Sequence, residues 1–485
     1  MELLSEVILM RQTIVDSGQK SELLFLPAPF FWARLGCYYN ASVASHSCTF
    51  LPPLSKTKDH QFIPCEIECP SVPVLQKGGS KVKRFNVHSH PSVSLTFGSM
   101  KYKKFRANQL FTGHQMLDNS KVLVTDKAGI VQEIVDIADA GDQVQELEGI
   151  LTPGFINCHC HLELSHLKGL IADKTGLVDF VVAIVTHRNF AEEEIRSAVK
   201  DAENQMLING IVAVGDICNT SYTLQQKLKN SLLYYNFIEA SGWLPGVAEE
   251  RFNRSSNIFS GFYKYLPNTS IVPHAPYSVS EELWQQLIPG FADKVVTIHN
   301  QETAFEDDFM MRGTGDFTRM FGMMKIDNSH FLPKGTTSLQ SYFSKLSGAK
   351  TVLLVHNTYT TAADVQFANE QAQARQQSLY WCICIKANRF IEDTNPPINL
   401  LLQHNSKMVI GTDSLASNNS LNILDELKTI RKHFNAIPLS ELLTWATLNG
   451  ATALHLHNTL GSFDSGKKPG VLLINEALTE VSRLI

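Results

Sequence analysis

The chain has 485 residues, of which 44% are hydrophobic and 18% charged, and a formal net charge of −5. That composition supplies a large core for two or three domains and excludes global disorder. The slight acidity speaks against a general nucleic-acid binder, and no stretch approaches the ~20 apolar residues of a membrane span.

Residues 1–99 hold 8 of the 19 prolines and 4 of the 9 cysteines, without a sustained helical or strand period. The segment reads as a poorly structured extension, with Met100 as the natural start. Its Cys65/Cys69 and His88/His90 pairs lack the spacing of a zinc site. Glu2 and Glu6 replace the basic region of a secretory signal, and the cysteine usage suits a reduced compartment, so a cytoplasmic location is expected. From 100 to 150 short strands dominate, among them Val122–Thr125 and Ile130–Val135. Beyond 150 strands and helices alternate. Ile195, Ala198, Val199, Ala202 and Met206 fall at helical spacing, and Asn209-Gly210 stops that helix. Strand text recurs at 149–161, 211–215, 231–239, 270–274, 294–299, 351–356, 379–385 and 407–413. Eight strands separated by helices is the count for a (β/α)8 barrel, here over 151–455. Residues 456–485 return to short strands and are expected to complete a small β-sandwich with 100–150, since the ends of a domain often lie close together.

The chemistry sits at strand ends. In Pro153-Gly-Phe-Ile-Asn-Cys-His-Cys-His161, alternation puts His159 and His161 on one face, a two-nitrogen fork for a metal. Other apolar strands end in His299, His356 and Asp413. Strand C-termini of a barrel converge on the face where active sites lie, and His159 and Asp413 stand one barrel length apart, ~250 residues.

These residues resemble the amidohydrolase superfamily. The motifs are Pro-Gly-Phe-Ile-Asn-x-His-x-His, Pro-His-Ala-Pro-Tyr-Ser at 273–278, Thr-Ile-His-x-x-Glu-Thr at 297–303 and Gly-Thr-Asp-Ser-x-Ala-Ser-Asn-Asn-Ser-Leu at 411–421. The branch resembled contains cytosine and guanine deaminases, S-adenosylhomocysteine and aminofutalosine deaminases and triazine chlorohydrolases, over residues 105–474. The resemblance implies one divalent metal held by His159, His161, His299 and Asp413, zinc first and iron also fitting. The fourth strand offers neither Lys nor Glu for a second ion. A metal-activated hydroxide would then attack an amidine carbon of a heterocycle. Glu302 would protonate the ring nitrogen, Asp413 would shuttle a proton to the leaving ammonia, and His356 would steady the attacking oxygen. His274 matches the family's substrate-contacting histidine. Glu163 and His166 follow the fork and are candidates to line the pocket, as is Asn388, although Ile385 and Ala387 replace the family's Pro and Ser beside it. Arg312 and Arg319, in the insertion after the fifth strand, are candidates for an anionic substrate tail on a lid.

The expected activity is therefore hydrolytic deamination of a purine-like or other heterocyclic small molecule. The alternatives are dechlorination of a triazine-like ring and, in a different class, a catalytically silent scaffold. A homodimer is the default assembly; no nucleic-acid or membrane partner is expected.

Overall fold

The computed structural model describes residues 101–485. The expectations for 1–99, including both Cys/His pairs and the start at Met100, lie outside the described residues.

The chain first builds seven short strands: β1 (Tyr102–Arg106), β2 (Gln109–Phe111), β3 (Met116–Leu117), β4 (Lys121–Asp126), β5 (Val131–Asp136), β6 (Val144–Glu146) and β7 (Ile150–Thr152). Eight strands follow: β8 (Phe155–Cys160), β9 (Ile211–Cys218), β10 (Leu233–Ala240), β11 (Thr269–Pro273), β12 (Val295–Asn300), β13 (Thr351–His356), β14 (Ser378–Ile383) and β15 (Met408–Ile410). The chain ends with β16 (Leu472–Ile474) and β17 (Val481–Arg483).

Two mixed sheets come from the flanking segments, in the orders β5-β4-β1-β6 and β17-β16-β7-β2-β3. The C-terminal β16 pairs antiparallel with β7, Leu473 opposite Leu151, so segments 322 residues apart in the chain share one sheet. Phe105, Leu123 and Val131 of the first sheet and Leu110 and Leu151 of the second bury their side chains in one apolar cluster.

The middle of the chain forms two parallel four-stranded sheets, β8-β9-β10-β11 and β12-β13-β14-β15. Their strands are buried at nearly every position, which is why they read as unbroken apolar runs and not as alternating text. Individual hydrogen bonds join the sheets at both seams: His299 N–H to the His274 carbonyl at 3.0 Å, and the N–H groups of Thr412 and Asp413 to the His159 carbonyl, each at 3.0 Å. The expected helix spans Glu192–Ile208, buries Ile195, Val199, Ala202 and Met206, and ends before Gly210, whose φ of +79° suits glycine.

One expected strand divides. The run 149–161 breaks at Pro153-Gly154 into β7 and β8, which belong to different sheets. Proline has no N–H for a ladder, and a side chain at Gly154 would strike Val212 and the Pro469 carbonyl at 2.3–2.7 Å.

The insertion after β12 carries helices Phe305–Arg312, Phe317–Met324 and Ser338–Tyr342. Phe309, Phe317, Met320 and Phe321 pack with Leu167, Trp243, Tyr277, Ile391 and Ala416 into a second apolar cluster. Every member follows the C-terminal end of a parallel strand, so this aromatic layer belongs to the same end of the sheets as the candidate residues.

Candidate active site

Strand ends bring the sequence-derived residues together. His159 is the penultimate residue of β8 and His161 follows the strand; their Nε2 atoms lie 3.2 Å apart. Asp413, just past β15, sets Oδ1 3.6 Å from His159 Nε2 and 3.4 Å from His161 Nε2. A tetrahedral ion with bonds of ~2.1 Å spaces its ligand atoms about 3.4 Å apart, so these three atoms already have the spacing of a metal's ligands. His299 converges with His159 and His161, and His356 with His159 and Asp413, all ligand atoms in each group lying within 4.8 Å. His299 Nδ1–H donates to the His274 carbonyl at 2.8 Å, which leaves its Nε2 lone pair for a ligand's role.

The electrostatics suit cation binding. Burial lowers the pKa of His159, His161 and His299, that of His161 to about 3, so all three are neutral imidazoles. Burial disfavours the charged form of Asp413, but the His159 contact and the neighbouring His161 and His356 outweigh it and hold the carboxyl well below its usual range. Ser417 Oγ donates to Asp413 Oδ2.

On the β12–β13 flank, His356 Nε2 is 3.6 Å from Glu302 Oε1. Asn388 donates through Nδ2 to the His356 carbonyl (3.0 Å) and to Thr358 Oγ1 (2.8 Å), so its Oδ1 faces His356 Nδ1 at 3.3 Å as acceptor. That assigns the His356 proton to Nδ1 and the lone pair to Nε2. Burial, reinforced by the charges of Asp413, Glu392 and Glu239, raises the Glu302 pKa well above the usual carboxylate range. Glu306 holds this segment: it accepts from Gln301 N–H (2.9 Å), Glu302 N–H (3.1 Å) and Ser338 Oγ (2.6 Å). Backbone strain gathers here too, with positive φ at Gln301 (44°), His356 (71°), Asn357 (57°) and Asp413 (56°). Each such non-glycine residue costs ~1–3 kcal/mol and persists only where its surroundings over-determine it.

The β9–β11 flank differs from expectation in its details. Glu163 is buried and fully engaged, accepting from Asn219 N–H (3.1 Å), Thr220 N–H (2.9 Å) and Thr220 Oγ1 (2.7 Å). His166 turns both ring nitrogens to carbonyls, those of Glu163 (3.1 Å) and Arg188 (3.2 Å). His274 pairs its Nδ1 with Ser278 Oγ at 2.7 Å, and its ring lies 4.8 Å from that of His299. Arg312 and Arg319 are exposed and spent on acids, the first on Asp308 and the second on Asp316 and Asp179.

Three residues here were not singled out from sequence. Glu239 is the penultimate residue of β10, with Oε1 3.7 Å from His299 Nδ1, and burial raises its pKa to about 7. It carried the same signal as His299 and His356, a polar residue closing an apolar strand, but belongs to no quoted motif. Asp216 accepts from Leu162 N–H at 2.8 Å, fixing the chain directly after His161, and pairs with the fully buried Lys227 at 2.5 Å. Lys227 gives no sequence signal, because a lysine in a short polar helix reads as surface.

A cavity of about 190 Å³ lies elsewhere, lined by Trp243, Trp284, Met310, Phe331 and Tyr342, and reaches none of the candidate catalytic side chains.

Comparison with known proteins fits this geometry. The amidohydrolase family profile matches residues 150–483. The chain belongs to the amidohydrolase family. Among curated relatives of this amidohydrolase is an adenosine deaminase of Helicobacter pylori, 26% identical over 399 residues, covering 76% of this chain and 92% of the relative. A 5-methylthioadenosine/S-adenosylhomocysteine deaminase of Teredinibacter turnerae is 26% identical over 346 residues, covering 67% and 72%. The crystal structure of Helicobacter pylori aminofutalosine deaminase with methylthio-coformycin superposes with a TM-score of 0.67 at 21% identity, covering 77% of this chain and 92% of that one. The superposition bears out the α/β fold. No helix among the described residues is long and apolar enough to cross a membrane.

Proposed function

We propose that this amidohydrolase deaminates an adenosine-like purine, replacing the exocyclic amino group by oxygen with release of ammonia. The observation that carries the reading is the 3.6 Å approach of the buried Glu302 carboxyl to His356 Nε2, beside converging metal-ligand atoms. His159, His161, His299 and Asp413 are the ligands of one divalent ion, with zinc the preferred identity for three imidazoles and one carboxylate. Bound there, the ion supplies Lewis-acid activation of water.

The protein's own groups do the rest. Glu302 gives its proton to the ring nitrogen next to the reacting carbon, which makes that carbon the better electrophile. His356 Nε2 accepts a hydrogen bond from the attacking oxygen and orients it. Asp413 takes the first proton the water loses and hands it to the departing amine, and the remaining hydroxyl proton returns to Glu302 as the carbonyl forms and ammonia leaves. His274 contacts the substrate; Glu163 and Asn388 act by holding the 219–220 turn and the His356 tautomer. The names of the relatives, deaminases of adenosine and of adenosine-derived nucleosides, support the purine class.

The same reading extends to the fold: residues 151–455 form one (β/α)8 barrel from the two parallel sheets, and 100–150 with 456–485 form a two-sheet sandwich. The seam hydrogen bonds and the β7–β16 pairing support it.

The test is metal content of the purified protein together with ammonia release from aminopurines, aminopyrimidines and their nucleosides. About one ion per chain, with ammonia from adenosine-like compounds, is expected. Metal without ammonia from any of them would reject deamination, and no metal after reconstitution would reject the site.

A further inference from the structure

One buried carboxylate oxygen beside His299 has no protein partner. Glu239 accepts from Asn219 Nδ2 through Oε2 at 3.0 Å, while its Oε1 makes no hydrogen bond. The nearby His299 Nδ1–H, 3.7 Å from that oxygen, is already committed to the His274 carbonyl at 2.8 Å. Leaving a buried polar atom unmatched is costly, and native structures keep few such atoms.

The neighbouring carboxylate shows that the fold can satisfy such a group. The same turn, Asn219-Thr220, gives Glu163 three donors and Glu239 one. The two acids therefore have different roles: Glu163 secures the turn, and the turn in its place aims Glu239 by a single bond. Glu239, His274 and His299 bring ligand-capable atoms within 4.8 Å of one another. Glu302 follows β12 and His356 ends β13, whereas Glu239 lies in β10 and His274 follows β11, the flank on the other side of β12. A substrate whose reacting carbon lies by the histidine fork and whose ring nitrogen meets Glu302 presents its remaining hydrogen-bonding groups to that flank.

We propose that Glu239 is a substrate-recognition residue whose Oε1 accepts a hydrogen bond from an O–H or N–H donor of the substrate. The proposal rests on the deaminase reading for the substrate's orientation. The donor can come from a sugar hydroxyl of a nucleoside or from a ring N–H of a free base, and the experiment separates the two.

Affinities of adenosine, 2′-deoxyadenosine, 3′-deoxyadenosine and adenine are measured by calorimetry on metal-loaded Glu302→Gln protein, where turnover does not deplete the ligand, with and without Glu239→Ala. At pH 8.5, above the Glu239 pKa of about 7, Glu239→Ala is expected to weaken the preferred ligand by about 10- to 100-fold, the range for a hydrogen bond to a charged group, with one metal per chain retained. Removing the matching donor from the ligand should cost the same factor, and the two losses should not add. Sensitivity to one deoxy position assigns a sugar hydroxyl; loss on adenine itself assigns a ring N–H. Glu239→Gln leaves one oxygen for two donors and keeps the Asn219 contact, so it should bind as weakly while melting like its parent. Unchanged affinity for all four ligands, binding of none, or loss of metal on Glu239→Ala would overturn the proposal. Ammonia release by the wild-type enzyme is scored separately, so binding without turnover rejects the deaminase reading alone.

Discussion

In the proposed reaction Glu302 has two demands to meet: it must reach the reacting centre and bring a proton to it. Its backbone N–H is pinned by Glu306 and its carboxyl pKa is raised by burial and by neighbouring acids. A general acid is competent below its pKa and fails as pH rises through it, so turnover should fall on the alkaline side. Glu302→Gln should lose about 10²–10⁴-fold in kcat, keep its metal, and no longer show that alkaline limb; an unchanged pH–rate profile in the variant would reject the assignment. Asp413→Asn should behave differently, losing turnover together with metal, which metal analysis of the purified variant reads directly. Residues with a motif around them, such as His159, His161, His299, Glu302 and Asp413, were legible because each lies at or just past the end of an apolar strand and sits in a recognisable string. Glu239 closed a strand as plainly but had no string. The satisfaction of Glu163 by Asn219 and Thr220, 56 and 57 residues on, depends on tertiary contacts that no local pattern encodes.

At the scale of elements, the strands that carry ligands also have to fit against each other. Gly411 follows β15, donates its N–H to the Ile383 carbonyl at 3.0 Å, and lies against β8 and β14. A Cβ there would meet Cys384 Sγ at 2.7 Å, His159 Cβ at 2.8 Å and Cys382 Sγ at 2.9 Å. Gly411→Ala should therefore cost ~1–3 kcal/mol by overpacking and weaken metal retention by displacing His159, readable as a lower Tm and substoichiometric metal. Lys227 poses the opposite problem. Buried against Asp216 at 2.5 Å and Asn236 at 2.9 Å, it neutralises the acid that holds Leu162. Lys227→Met leaves that charge unpaired and should destabilise by about 3–5 kcal/mol in denaturant unfolding, whereas replacing Asp216 as well should recover part of the loss. The strands were legible from apolar runs bounded by Gly and Pro. The division at Pro153-Gly154 was not, because a strand that changes sheets keeps the same apolar text on both sides of the break.

Across the whole molecule, the flanking segments and the parallel sheets depend on one another. β7 leads directly into β8, the Gly154 N–H donates to the Pro469 carbonyl at 3.0 Å, and β16 closes on β7 from the far end of the chain. Every side chain assigned to binding or proton transfer lies between His159 and Asp413, and the family profile begins only at residue 150. A chain beginning at Met100 should consequently keep full metal content, unchanged kcat and KM, and a Tm within a few degrees of the full-length protein. Truncation at the other end should be far more damaging: removing 470–485 strips β16 and β17 from the five-stranded sheet and uncovers Leu151 and Ile150, both fully buried. Burying one such side chain is worth ~1.5–3 kcal/mol, so uncovering two costs about 3–6 kcal/mol before the lost sheet contacts of β16 are included, a large part of the ~5–15 kcal/mol that stabilises a typical domain. Comparing soluble yield, Tm and metal content of the two truncated chains tests the arrangement. Equal tolerance of both deletions would show that the terminal strands do not hold the parallel sheets in place, and an inactive chain from Met100 would assign the first 99 residues a part in the enzyme.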